Sequence, residues 1–196
     1  MDNSWSITLA HHPILLRGVK ALGLLDSASA SFVASARANK ILRADATRRL
    51  PFRDESLEVV YTSHTLNCFY VETVSSFMRE VYRVLTPGGI VRISLADLKL
   101  QAQRYLRDGD SVTFIRSLGI AQEKPSNWRA DLKARISKCR PLRMSYDAET
   151  IVAMLRSERF VEATSIPAGQ TRIPEPGLLD LFERAPYSFY VEAVRP

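Results

Sequence analysis

The chain has 196 residues, 46% of them hydrophobic and 24% charged, with a formal net charge of +6. That length and balance fit one globular domain over 1–196 with a sizeable core, and they exclude a disordered or fibrous polymer. No uninterrupted apolar run approaches the ~20 residues of a membrane helix, and MDNSWSITLAHHP lacks the basic start and cleavage site of a secretory signal, so a cytoplasmic location is expected.

In chain order, SITLA (6–10) reads as a first strand and SASASFVASARAN (27–39) as small-residue helix or loop. LEVVYTS (57–63) and GIVRISLA (89–96) are short, rich in β-branched residues and nearly continuously apolar, which predicts buried parallel strands. Between them Val71, Val74, Phe77, Met78, Val81, Val84 and Leu85 recur at helical steps, and Thr86-Pro87-Gly88-Gly89 stops the helix. Leu98, Ala102, Tyr105 and Leu106 repeat the spacing until Asp108-Gly109-Asp110 breaks it.

From about 110 to 145 the periodicity is poor. Lys124, Arg129, Lys133, Arg135, Lys138, Arg140 and Arg143 make this a basic insert, and such a run most simply forms a solvated face. A further helix starts at Asp147, a suitable N-cap, and turns Ile151, Val152, Met154 and Leu155 inward. Phe160–Ser165 reads as a strand. In the last strand, 187–194, Tyr187, Phe189, Val191 and Ala193 alternate with Ser188, Tyr190 and Glu192, which predicts one more exposed face. Alternating strands and helices indicate an α/β fold with a mostly parallel sheet.

Open sheets of this kind bind ligands beyond the carboxyl ends of their strands, which singles out Asp45, Ser63-His64 and Asp97. An imidazole titrates near neutral pH, so His64 suits proton transfer; bonding to a neighbouring backbone carbonyl is its structural alternative. Asp45 either accepts from a ligand or caps a turn. Cys68 and Cys139 have no CxxC spacing, and His11 and His12 point to opposite sides of an extended chain, so reduced thiols and no metal site are expected.

The wording DATRRLPFRDESLEVVYTSHTLNCF, followed by REVYRVLTPGGIVRISLADL, resembles the class I S-adenosylmethionine-dependent methyltransferases. It is most similar to a small bacterial subgroup found with polysaccharide genes, whose pattern runs through LPF, SH-x-LEH, RVLKPGG and PDL. The resemblance extends from about 45 to 98 and resumes at Tyr146-Asp147, Phe160 and the closing YSFYVEAVRP. It implies a Rossmann-like fold with helices on both faces of the sheet and an antiparallel C-terminal strand.

For the cofactor S-adenosylmethionine, the resemblance implies that Asp45 accepts from the adenine amino group beside Ala46, with Leu50 and Phe52 as apolar neighbours. It places Ser63 beside the methionine portion, and His64 and Asp97 as acid/base candidates facing the acceptor. The second histidine of the pattern is replaced, since LEH reads Leu66-Asn67-Cys68 here.

The glycine-rich turn after the first strand is also missing, with Ala10, His11 and His12 in its place as the cofactor-binding candidates. The histidines either contact the cofactor carboxylate or simply end a strand at the surface, and Asp26 is the one nearby candidate for the ribose hydroxyls. Side chains there fill space meant for ligand, so cofactor binding is expected to be weak or lost. Two functions follow from these features. One is O-methylation of a sugar or similar small acceptor, with the basic charge favouring an anionic one. The other is an inactive methyltransferase-like binding or scaffolding protein. Nucleic-acid binding has charge in its favour but no reading motif.

Overall fold

The computed structural model describes residues 44–119 and 142–196. The expected strand at 6–10, the segment 27–39, most of the basic insert, and Ala10, His11, His12 and Asp26 lie outside the described residues. The chain divides into two compact units, Met1–Arg49 with Glu123–Arg140, and Leu50–Gln122 with Pro141–Pro196. In the first unit the description covers residues 44–49, a turn closed by the Arg48 N–H on the Asp45 carbonyl at 3.0 Å.

The second unit carries β1 (Leu57–Ser63), α1 (Val71–Val84), β2 (Leu85–Ala96), α2 (Leu98–Asp108), α3 (Ser111–Ser117), α4 (Ala148–Ser157), β3 (Val161–Ile166) and β4 (Ser188–Val194). The strands lie in the order β1-β2-β4-β3. β1 pairs parallel with β2, while β4 runs antiparallel to both β2 and β3. Among the described residues three strands therefore share one direction and the C-terminal strand alone is reversed, the mixed sheet expected of the Rossmann-like methyltransferase fold.

Helix α1 turns Val74, Phe77, Met78, Val81 and Val84 into the core. Leu85, which its spacing assigned to the same helix, is already extended (ψ 143°), because the chain must leave the helix before Pro87. Gly88 has φ +80°, and a Cβ at Gly89 would stand 2.8 Å from the Thr86 carbonyl, so this reversal needs both glycines. β2 is buried from Ile90 to Leu95, whereas β1 is half-buried apart from the exposed Glu58 and the buried Thr62, because it has a single neighbouring strand among the described residues.

Two readings of the sequence are corrected by the fold. The irregular stretch expected from 110 begins with helix α3, started by Asp110, whose carboxylate accepts from the N–H groups of Val112 and Thr113 at 3.0 and 3.1 Å. β4 does not expose a face either: Phe189 to Ala193 are all buried. Glu192 is tolerated there because it pairs with Arg92 at 2.5 Å, both side chains being 0% exposed, and it also accepts from Thr171 Oγ1 at 2.6 Å and the Arg172 N–H at 2.8 Å.

The register sorts the sheet into two faces. Val91, Ile93 and Leu95 of β2 align with Ala193, Val191 and Phe189 of β4 on one side. On the other, Tyr61 aligns with Arg92 and then Glu192, and Ser63 with Ser94 and then Tyr190. One face is apolar and the other is crossed by two polar rungs.

Candidate functional site

The polar rungs lead to the carboxyl end of β1, where Ser63 is the last strand residue and His64 the first beyond it. His64 has φ 47°, a left-handed conformation uncommon for a residue with a side chain. Its N–H is held by the Ser94 carbonyl at 2.8 Å, and its Nε2 lies 3.1 Å from Ser188 Oγ at the start of β4. The ring is thus bonded to a side chain rather than to a backbone carbonyl. Burial, and then the charge of Arg184, lower its pKa below 6.5, while Glu183 works in the opposite sense. The imidazole is neutral at pH 7 and able to accept a proton.

Ser63 lies on the same face as Tyr61, two residues earlier. Its hydroxyl is within electrostatic reach of Tyr61 and Glu183 but makes no hydrogen bond of good geometry. The Tyr61 hydroxyl donates to Glu183 Oε2, and burial followed by that bond pushes it up to about 12. Partial burial of Glu183 opposes ionisation, but the bond from Tyr61 holds its carboxyl below the usual value.

Several buried polar atoms at this end of the sheet have no hydrogen-bond partner among the described residues: Ser94 Oγ, Asn67 Oδ1, Tyr146 OH and Gln101 Oε1. Asn67 follows β1 in a single 3₁₀ turn, Leu66–Cys68. Tyr146 is bridged to Asp97 just past β2, and Gln101 sits in the first turns of α2. Asn67 and Tyr146 are each only 3% exposed. Buried polar groups of this kind are ones that a polar ligand or water can satisfy.

Asp97 is the N-cap of α2, with its carboxylate accepting from the Leu100 N–H at 3.2 Å. Asp45 accepts from Thr47 N and Thr47 Oγ1 at 3.0 and 2.7 Å, a turn built on its side chain, with Ala46 half-buried inside that turn. Leu50 is 3% exposed. Its N–H donates to Glu80 Oε2 at 3.0 Å, and its carbonyl and that of Phe52 accept from Arg83 at 3.2 and 3.0 Å. The LPF segment is thereby clamped to the end of α1. The structure gathers Ser63 and His64 and adds Tyr61, Glu183 and Ser188, which the sequence did not single out. Tyr61 was readable in principle, being polar and two residues from Ser63, an interval that puts both on one strand face. Among the described residues no group of three or more metal-ligating side chains occurs, and no helix is long and apolar enough to cross a membrane.

Residues 15–93 match the family model of a methyltransferase domain. The match takes in β1, α1 and most of β2, and it supports the resemblance to class I methyltransferases carried by residues 45–98. No curated protein matches the chain. Similar solved structures include a SAM-dependent methyltransferase from Methanosarcina mazei, 17% identical, covering 87% of this chain and 78% of that one, with a TM-score of 0.49. Another is a SAM-dependent methyltransferase of Thermotoga maritima described as a possible histamine N-methyltransferase, at 16% identity, 85% and 68% coverage and a TM-score of 0.48. Human N-acetylserotonin methyltransferase in complex with SAM is 12% identical, with 79% and 33% coverage and a TM-score of 0.44. Across these three, the chain spans 33% to 78% of the length of the protein it resembles.

Proposed function

We propose that this chain is an S-adenosylmethionine-dependent methyltransferase acting on a hydroxyl of a sugar or similar small acceptor. The observation that carries the reading is the group at the carboxyl end of β1. There a neutral, half-buried His64 is held by Ser188, close to buried polar atoms that have no partner. The match of residues 15–93 to a methyltransferase domain supports the same chemistry.

When bound, S-adenosylmethionine supplies an electrophilic methyl group on a sulfonium. The chain would align the acceptor oxygen for in-line attack on that methyl group, and His64 would take the acceptor's proton. Ser188 fixes the ring, and the buried polar groups of Asn67, Ser94 and Tyr146 offer bonds to a polar substrate. The residues present fit a cofactor in part: the Ser63 hydroxyl, beside Tyr61 and Glu183, makes no hydrogen bond of good geometry that a contact to the methionine portion would have to break. Asp45, by contrast, already engages Thr47.

That engagement favours a second reading, a catalytically inactive binding or scaffolding module in which Asp45 only closes a turn. Calorimetric titration with S-adenosylmethionine and its demethylated product separates the two. Binding, weakened by about 1–3 kcal/mol in Asp45→Ala, supports the enzyme. No heat and no thermal shift at millimolar cofactor would overturn it, since ligand at 100 times Kd adds about 2.7 kcal/mol of stability.

A further inference from the structure

The segment between β3 and β4 reaches the site through Glu183, which is fixed at two points by tyrosines from two strands. Tyr61 of β1 donates to its carboxylate, and Tyr190 of β4 donates to its backbone carbonyl at 2.7 Å. Tyr61 and Tyr190 belong to the same sheet face, on neighbouring polar rungs. Two anchors on one residue set both where its backbone runs and where its carboxylate points. A surface glutamate needing only solubility has no use for such a tether, because holding a long side chain in one rotamer costs conformational entropy.

The carboxylate is held within electrostatic reach of His64 and of the Ser63 hydroxyl. The charged groups acting on His64 are Glu183, in favour of the imidazolium, and Arg184, against it. Adjacent residues of one segment therefore act on the ring in opposite senses, and the tether decides which of them is fixed. Arg184 is exposed, so its charge is screened by solvent.

We propose that Glu183 is a positioning residue for His64: its tethered carboxylate stabilises the imidazolium that forms when the ring takes the acceptor's proton. The proposal rests on the reading of His64 as the base. It adds that the site is a pair, histidine from the end of β1 and carboxylate from the segment before β4, assembled by Tyr61 and Tyr190.

The test is NMR titration of the His64 ring in the full chain, with its signal told apart from the other two of the three histidines by its disappearance in His64→Asn. Glu183→Gln keeps an acceptor for Tyr61 and removes only the charge, so it should stay folded and its His64 should titrate at lower pH than in wild type. Arg184→Gln should move the titration the other way. Tyr61→Phe keeps the charge and releases the tether, and should lower the His64 titration by less than Glu183→Gln does. An unmoved His64 titration in a folded Glu183→Gln protein overturns the proposal, as does a shift to higher pH. Absence of cofactor binding by wild type would instead sink the methyltransferase reading and leave these titrations as they are, so the two failures are distinguishable.

Discussion

The two faces of the sheet are built from the same strands by opposite means. On one, Val91, Ile93 and Leu95 lie beside Phe189, Val191 and Ala193, all 8% exposed or less, and non-directional burial holds them together. On the other, Arg92 meets Glu192 at 2.5 Å, donates to the Gln170 carbonyl at 2.9 Å and lies 5.0 Å from the Tyr190 ring centroid. Along β2 and β4 burial is as complete on one face as on the other, so burial does not distinguish them; directionality does. An apolar face accepts any filling of the right volume, whereas a buried charge accepts only a partner in one place. The polar face thus fixes the segment 170–192 relative to β2, and Glu183 and Ser188, which serve the site, lie on that segment.

The sharpest way to break this comparison is to remove one charge. Glu192→Gln leaves Arg92 buried without its counter-charge, and the expected loss is about 3–5 kcal/mol of unfolding free energy in denaturant titration. On the apolar face Ile93→Val removes one methylene at a position of 0% exposure and should cost only about 0.5–1.5 kcal/mol. If the two losses were equal, the polar face would be no more demanding than the apolar one.

This difference also explains what could be read from the sequence. β1, α1, β2, α4, β3 and the last strand were legible because apolar periodicity reports burial directly, whereas the reversed direction of the last strand was implied only by the family resemblance. The faces of β4 were not, since Glu192 is polar in the alternation and only a partner exactly one hundred residues away, Arg92, makes it an interior residue. Glu183 was invisible for the same reason: its bond to Tyr61 spans 122 positions, and no local pattern encodes it. His64 and Ser63 were found because a strand end is a local feature. Asp110 carried a readable signal as well, a capping aspartate directly before a helix, and the glycine beside it drew the reading towards a break instead.

Asp97 gives a smaller test, of whether a strand-end acid serves the fold or the chemistry. Asp97→Ala removes the cap of α2 and should cost about 1 kcal/mol, while Asp97→Asn retains an oxygen for the Leu100 N–H and should cost a few tenths. If Asp97 acts only as a cap, methyl transfer by Asp97→Asn will match wild type. A large loss of kcat with stability retained would show that it also handles a proton.

The pH dependence of stability carries the smallest effects, because the groups involved are only partly buried and solvent screens them, yet its signs are fixed. His64 in the folded chain titrates below its ordinary 6.5, so between those values the unfolded chain binds more protons. Its contribution is complete above about pH 6.5 and is lost as the pH falls through the folded value. Glu183, held below 4.5, acts in the same direction in a lower window. Tyr61, raised from 10.0 to about 12, acts oppositely: its contribution is present below pH 10 and lost as the pH rises towards 12. Denaturation followed across pH in wild type, His64→Asn and Tyr61→Phe should therefore show the histidine variant missing only the loss just below pH 6.5 and the tyrosine variant missing the alkaline one. Curves that stayed parallel through the upper acid window would mean that His64 is as solvated in the folded protein as in the unfolded chain, and the polar face would then end before reaching the site.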